Sequence, residues 1–200
     1  MAPVASSRLT ASTPRSRKRR DACWTSSPRC FAASALEDSQ ARGGPLFERE
    51  AQADRIRAAR AATVAAGLPE LVINARTDVY LFGIGPESGR FDDVLSRAHG
   101  YAAAGADSLF VPGLLDLDTL AELTSRITLP VNAVAGPGAP GVDELRAVGV
   151  RRISVGQAIA QVAYSLARRA AAEVVGKGTF DVLADADPFG DVNGAFRPRP

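Results

Sequence analysis

The chain has 200 residues, 46% of them hydrophobic, which is enough for one cored domain with at most a tail beside it. Its formal net charge of +2 gives no reason to expect nucleic acid, and no apolar run approaches the ~18 residues of a membrane helix. Two cysteines, Cys23 and Cys30, and a single histidine leave neither a disulfide framework nor a Cys/His metal cluster, so a reducing cytoplasm is the default compartment.

Residues 1–33 are rich in Ser, Arg and Pro, with Arg15, Arg17, Lys18, Arg19 and Arg20 crowded together and no helical or strand period. They read as a disordered or non-native basic tail that buries too little surface to order itself. A nucleic-acid arm is the alternative, but the remainder offers no complementary binding feature. From residue 34 the texture alternates. ASALEDS (33–39) is a strand ending in acids, and EREAQADRIRAARAATVAAG (48–67) is a helix that Gly67 stops. LVINART (71–77) is a strand, and FDDVLSRAHGYAAAGA (91–106) is a helix with Asp92 and Asp93 at its positive end. DSLFVPG (107–113) is a strand, LDTLAELTSRI (117–127) a helix and LPVNAVAG (129–136) a strand. A short helix over 142–150, a strand over 151–156 and a long helix over 157–178 follow, and then a helical turn or tail, with 186–200 as a C-terminal tail.

Five strand–helix repeats with apolar, non-alternating strands predict α/β architecture on a parallel sheet. A complete eight-stranded barrel needs roughly 250 residues. Residues 34–185 therefore form either a smaller open sheet or the C-terminal five strands of a partial (β/α)8 TIM barrel.

Parallel α/β folds put their chemistry at the carboxyl ends of strands. Those ends carry Glu37 and Asp38, then Asn74, Arg76, Thr77 and Asp78, then Asn132, then Ser154 to Gln157. An arginine there offers a forked donor pair to a carboxylate or phosphonate. Glu37 and Asp38 are candidates to hold a hard divalent cation, directly or through water. A cation facing an arginine suits a small α-keto acid, because the metal polarises the carbonyl and steadies an enolate. The structural alternative is that Arg76 pairs with Asp78, or Glu37 with Arg76 across neighbouring strands. His99 reads as a surface or interhelical residue. The segment 134–141 fits no phosphate loop. A flavodoxin-like open sheet binding a nucleotide would want a glycine-rich phosphate loop after its first strand, and SQARGG (39–44) is a poor one.

LEDS (36–39), DRIRAAR (54–60), LVINARTDVYL (71–81), RAHGYAAAGADSLFVPG (97–113), LPVNAVAGPGAP (129–140) and ISVGQAI (153–159) together resemble the isocitrate lyase/phosphoenolpyruvate mutase superfamily, on its phosphonomutase-like branch. The resemblance implies a (β/α)8 barrel and homo-oligomers that swap their last helix. It also implies Mg²⁺ and small α-keto or 2-hydroxy acid substrates whose C–C or P–C bonds are handled through an enolate-like intermediate. It gives Glu37 a place in the metal shell with Asp38 beside it, and Arg76 and Asn132 substrate contacts with Asn74 nearby. Three departures stand against it. The family's first three strands, with their metal-holding aspartates, have no counterpart in residues 1–33. The lyases' Lys-Cys gating loop is replaced by SQARGGPLFE (39–48), and Gly113 stands where lyases often carry Glu. A catalytically inactive truncated barrel, serving at most as an association module, is thus the competing expectation.

Overall fold

The computed structural model describes residues 33–196. The expected N-terminal tail, including Cys23 and Cys30, lies outside the described residues.

Five strands form one sheet: β1 (Ala33–Glu37), β2 (Val72–Arg76), β3 (Ser108–Phe110), β4 (Val131–Val134) and β5 (Val150–Ser154). They pair in the order β1-β2-β3-β4-β5, and every pairing is parallel. Sequential order without a reversal is the winding of a barrel. A doubly wound sheet reverses at a switch point, so this sheet is not the flavodoxin-like alternative. The chain is a five-stranded α/β arc of a TIM barrel.

The connecting helices are α1 (Arg49–Ala65), α2 (Glu87–Ala103), α3 (Leu117–Arg126) and α4 (Val142–Ala147), and α5 (Ala158–Lys177) follows β5. α2 begins four residues before the predicted Phe91, directly after Pro86, whose fixed φ of −64° suits a helix start. α4 ends at Ala147 instead of running to Val150, because Gly149, at φ +88°, turns the chain into β5. A 3₁₀ turn (Asp181–Leu183) and α6 (Phe189–Gly194) follow α5, and α6 places helix inside the predicted tail.

Strand residues alternate between two faces. Ile73, Ala75, Leu109, Val111, Val131 and Ala133 face the helices and form the core with Ile56, Val94, Tyr101, Leu120, Leu123 and Leu145. The opposite face is polar. Its register runs across the arc, with one shift between Val131 and Asn132 in the last pairing: Glu37 is level with Arg76, Arg76 with Phe110, Phe110 with Asn132, and Asn132 with Arg152. Residues level in a parallel ladder share a face, so one strand position on each of the five strands contributes to a single row.

Candidate active site

The row is centred on Arg76. Its Nε–H donates to Asp78 Oδ1 at 2.6 Å, and its Nη1 lies 3.2 Å from Glu37 Oε2. Both pairings posed as the structural alternative therefore exist. They differ in kind: Asp78 is 1% exposed and hydrogen-bonded, whereas Glu37 is 54% exposed and approaches at ion-pair distance. Ser39 Oγ donates to the other Asp78 oxygen at 2.6 Å, so each oxygen of that carboxylate accepts a hydrogen bond. The Arg76 guanidinium also lies 5.7 Å from the centroid of the Phe110 ring. It keeps 24% exposure, and four of its five N–H donors are not needed by Asp78.

Asp38 belongs elsewhere. Successive strand residues point to opposite faces, so Glu37 and Asp38 diverge. Asp38 is completely buried on the helix side. Its Oδ1 accepts the backbone N–H of Asp78 at 3.0 Å, and its Oδ2 accepts from Tyr101 Oη at 2.9 Å and Arg97 Nη1 at 3.2 Å. The two adjacent carboxylates thus lie on different faces: the two-residue period of the strand separates the expected Glu37–Asp38 metal pair. Burial, and then the charge of Asp38, push the Tyr101 phenol far above its ordinary range. Burial acts to lower the pKa of Arg97. The hydrogen bond with Tyr101 and the charges of Asp38 and Asp93 outweigh it, and the net shift is upward.

Asn74 lies one layer beneath Arg76, buried, and accepts from Ser108 Oγ at 2.7 Å. Asn132 is on the row and buried. With its amide oxygen towards Arg152, it accepts from Nη1 at 2.8 Å and donates to the Arg152 carbonyl at 3.2 Å. The Thr77 hydroxyl is buried without a hydrogen-bond partner among the described residues. His99 is exposed and its Nε2 meets Arg126 O at 3.1 Å, linking α2 to α3 as an interhelical residue.

Sequence reasoning assigned no role to Arg97, Tyr101 or Arg152. For the first two a signal exists. Val94, Arg97, Ala98 and Tyr101 follow helical spacing, so Arg97 occupies a core position on an otherwise apolar face. A charge there demands a buried partner. Arg152 was visible only once the register aligned it with Asn132.

The model of the family "Phosphoenolpyruvate phosphomutase" matches residues 29–175, well over half of the chain. The chain belongs to this family. It is 40% identical over 104 residues to an uncharacterized protein of Mycobacterium tuberculosis, covering 52% of this chain and 37% of that one. It is 33% identical over 115 residues to oxaloacetate decarboxylase 2 of Pseudomonas fluorescens, covering 56% and 36%. The matches thus span little more than a third of each relative's length. Among solved structures, a Burkholderia cenocepacia protein assigned as a lyase or mutase superposes with a TM-score of 0.72 at 38% identity, over 84% of this chain and 59% of that one. A phosphonopyruvate hydrolase, solved with oxalate and Mg²⁺, superposes with a TM-score of 0.63 over 82% of this chain and 58% of that one. At 20% identity that likeness speaks for the fold alone.

Proposed function

We propose that this chain carries the acid-binding half of a lyase- or mutase-type active site for a small α-keto or 2-hydroxy acid. The reaction class is C–C or P–C bond cleavage or formation next to a carbonyl, through an enolate-like intermediate. The observation that carries the reading is Arg76: a guanidinium at a strand's carboxyl end, steered from behind by a buried aspartate and still open in front. Its free donors suit the two oxygens of a carboxylate or phosphonate. Phe110 walls one side, and Asn132 lies one strand further along the row. The relatives named for oxaloacetate support a keto acid of that size.

Mg²⁺ needs near-octahedral oxygen ligation. Among the described residues no group of three or more His, Cys, Asp or Glu is placed to hold a metal. Asp38 faces the helices, and Asp78 is buried with a hydrogen bond on each oxygen, so among the described residues Glu37 is the carboxylate of the row left open to an ion, through water or directly. The described residues therefore do not by themselves fit the ion, and no step is assigned to it. That same shortage favours the second reading, a chain without turnover that serves as an association module. Exposed Ile159, Val162 and Tyr164 on α5 support homo-oligomerisation by exchange of that helix under either reading.

The deciding experiment is calorimetric titration of the purified chain with oxalate, with and without Mg²⁺, together with turnover assays on oxaloacetate and phosphonopyruvate. Binding that Arg76→Ala abolishes supports the acid-binding site, and Mg²⁺-dependent turnover supports the enzyme. Oxalate affinity unchanged by Arg76→Ala overturns the assignment. Binding without turnover leaves the second reading.

A further inference from the structure

Asp78 steers Arg76, but an aspartate in the loop after a strand needs steering itself. Its support comes from the other side of the sheet. Asp38 Oδ1 accepts the Asp78 N–H at 3.0 Å, and the Asp38 N–H donates to the Arg76 carbonyl at 3.1 Å. One residue thus grips the backbone on both sides of Thr77. Asp38 is in turn held from α2. Tyr101 Oη and Arg97 Nη1 converge on its Oδ2, and the two donors lie 3.2 Å apart. Arg97 also donates to the Phe47 carbonyl at 3.0 Å and, through Nε, to Asp93 at 3.2 Å. Phe47 N–H returns to the Asp38 carbonyl at 2.7 Å. The loop after β1 and the loop after β2 are therefore tied to the same three side chains.

We propose that Asp38, Arg97 and Tyr101 are positioning residues, a buried relay that fixes the Asp78 loop and so aims the Arg76 guanidinium along the polar row. The proposal rests on the acid-binding role given above to Arg76, and it adds what holds that group in place. The alternative use of these residues is generic stability. A charged pair and a phenol under a sheet would supply that at any point of the core. What separates the two is connectivity: the relay ends on the one backbone N–H whose residue hydrogen-bonds Arg76. Two of its links leave α2, so the aim of the rim is set by the helix that follows it in sequence.

The relay lies wholly on the helix side, so its side chains touch no ligand. Its effect on binding is indirect and moderate. Loss of one hydrogen bond to Asp38 loosens the loop without removing a contact to the acid group.

The test uses the full 200-residue chain. The Nε–H resonance of Arg76 is assigned in a ¹⁵N-edited NMR spectrum by its disappearance in Arg76→Lys. Tyr101→Phe removes one donor to Asp38 and keeps the ring. Arg97→Lys keeps the charge and loses the fork, and serves where Tyr101→Phe does not fold. Leu123→Ala is the control, a remote core truncation that lowers stability without touching the relay. The expected result is a displaced or broadened Arg76 Nε–H signal in the relay variants and oxalate binding weakened by about fivefold, with neither change in the control. An Arg76 signal that stays in place in the relay variants, with melting temperature alone reduced as in the control, overturns the proposal. If the wild-type chain binds no oxalate, the acid-binding reading fails, and the resonance still decides whether the relay aims Arg76.

Discussion

Replacing Gly113 by alanine tests the geometry of the rim with the smallest possible change. Gly113 follows β3 at φ +87°, in the left-handed region that L side chains rarely adopt. A Cβ built there lies 2.9 Å from Leu81 N, Leu81 Cα and Tyr80 C, closer than real Cβ atoms approach backbone. The neighbour cannot simply retreat. Ile84 N–H is bonded to Val79 O at 2.9 Å and Phe82 N–H to Asp78 O at 3.1 Å, and Val79 is fully buried. The left-handed conformation costs alanine about 1–2 kcal/mol, and forcing a methyl into filled space costs about 1–3 kcal/mol more. The sum is about 2–5 kcal/mol of stability. Urea unfolding followed by circular dichroism reads it as a midpoint lower by about 1 M or more at unchanged slope. A midpoint that moves by less than about 0.3 M refutes the close approach of the two loops. The same clash bears on the difference noted from sequence: a glutamate at position 113 begins with the same Cβ, so this rim cannot accept the acid that lyases often carry there without moving the loop that follows Asp78.

Two further outcomes follow from charge. Arg97→Met leaves the Asp38 carboxylate buried without its cation, and unpairing a buried ion costs about 3–5 kcal/mol. Chemical denaturation at neutral pH measures it, and a loss below about 1 kcal/mol would mean that Arg97 is not the partner that keeps Asp38 buried. Asp116 caps α3 by accepting from Thr119 Oγ1 at 2.6 Å and Thr119 N–H at 2.9 Å, and these bonds lower its pKa below the ordinary carboxylate value. A depressed folded-state pKa stabilises above the unfolded value and loses that contribution as pH falls through the folded one. Asp116→Ala therefore lowers the melting temperature at pH 7, and the gap to wild type closes in acid. A gap that does not change between neutral and acid pH contradicts the cap.

The sheet was legible in the sequence because parallel strands covered by helices must be apolar runs, and each run here is followed by an amphipathic stretch. Boundaries failed where glycine and proline disguised a helix start: GIGPESGR (83–90) reads as loop, yet α2 begins at Glu87. The site was half legible. Glu37 and Arg76 stand level on adjacent strands, but sequence spacing says nothing of register, which is fixed by ladder hydrogen bonds. Asp38 shows the opposite case. The two-residue period of a strand was available from the start and sends it away from Glu37. Arg97 was hidden because a long charged side chain on a helix is usually solvated, and only its place among Val94, Ala98 and Tyr101 marks it as buried.

The two acids beside Arg76 divide its work unequally. Asp78 is buried, hydrogen-bonded to both Arg76 and Ser39, and anchored by its own backbone N–H, so an incoming anion cannot displace it cheaply. Glu37 is more than half exposed and meets the guanidinium at 3.2 Å, the weak class of ion pair worth about 0.2–1 kcal/mol. A ligand carboxylate that docks on Arg76 therefore competes with Glu37 and leaves Asp78 in place. Glu37→Gln removes the competitor and keeps the side chain's length. Oxalate binding in the presence of a chelator is expected to tighten by up to about fivefold, read by calorimetry and most clearly at low salt, where screening is least. Asp78→Asn is expected to act in the other direction, because it removes the charge that orients Nε–H. Weaker oxalate binding in Glu37→Gln, with metal excluded, would show that Glu37 helps to hold the acid group instead of giving way to it.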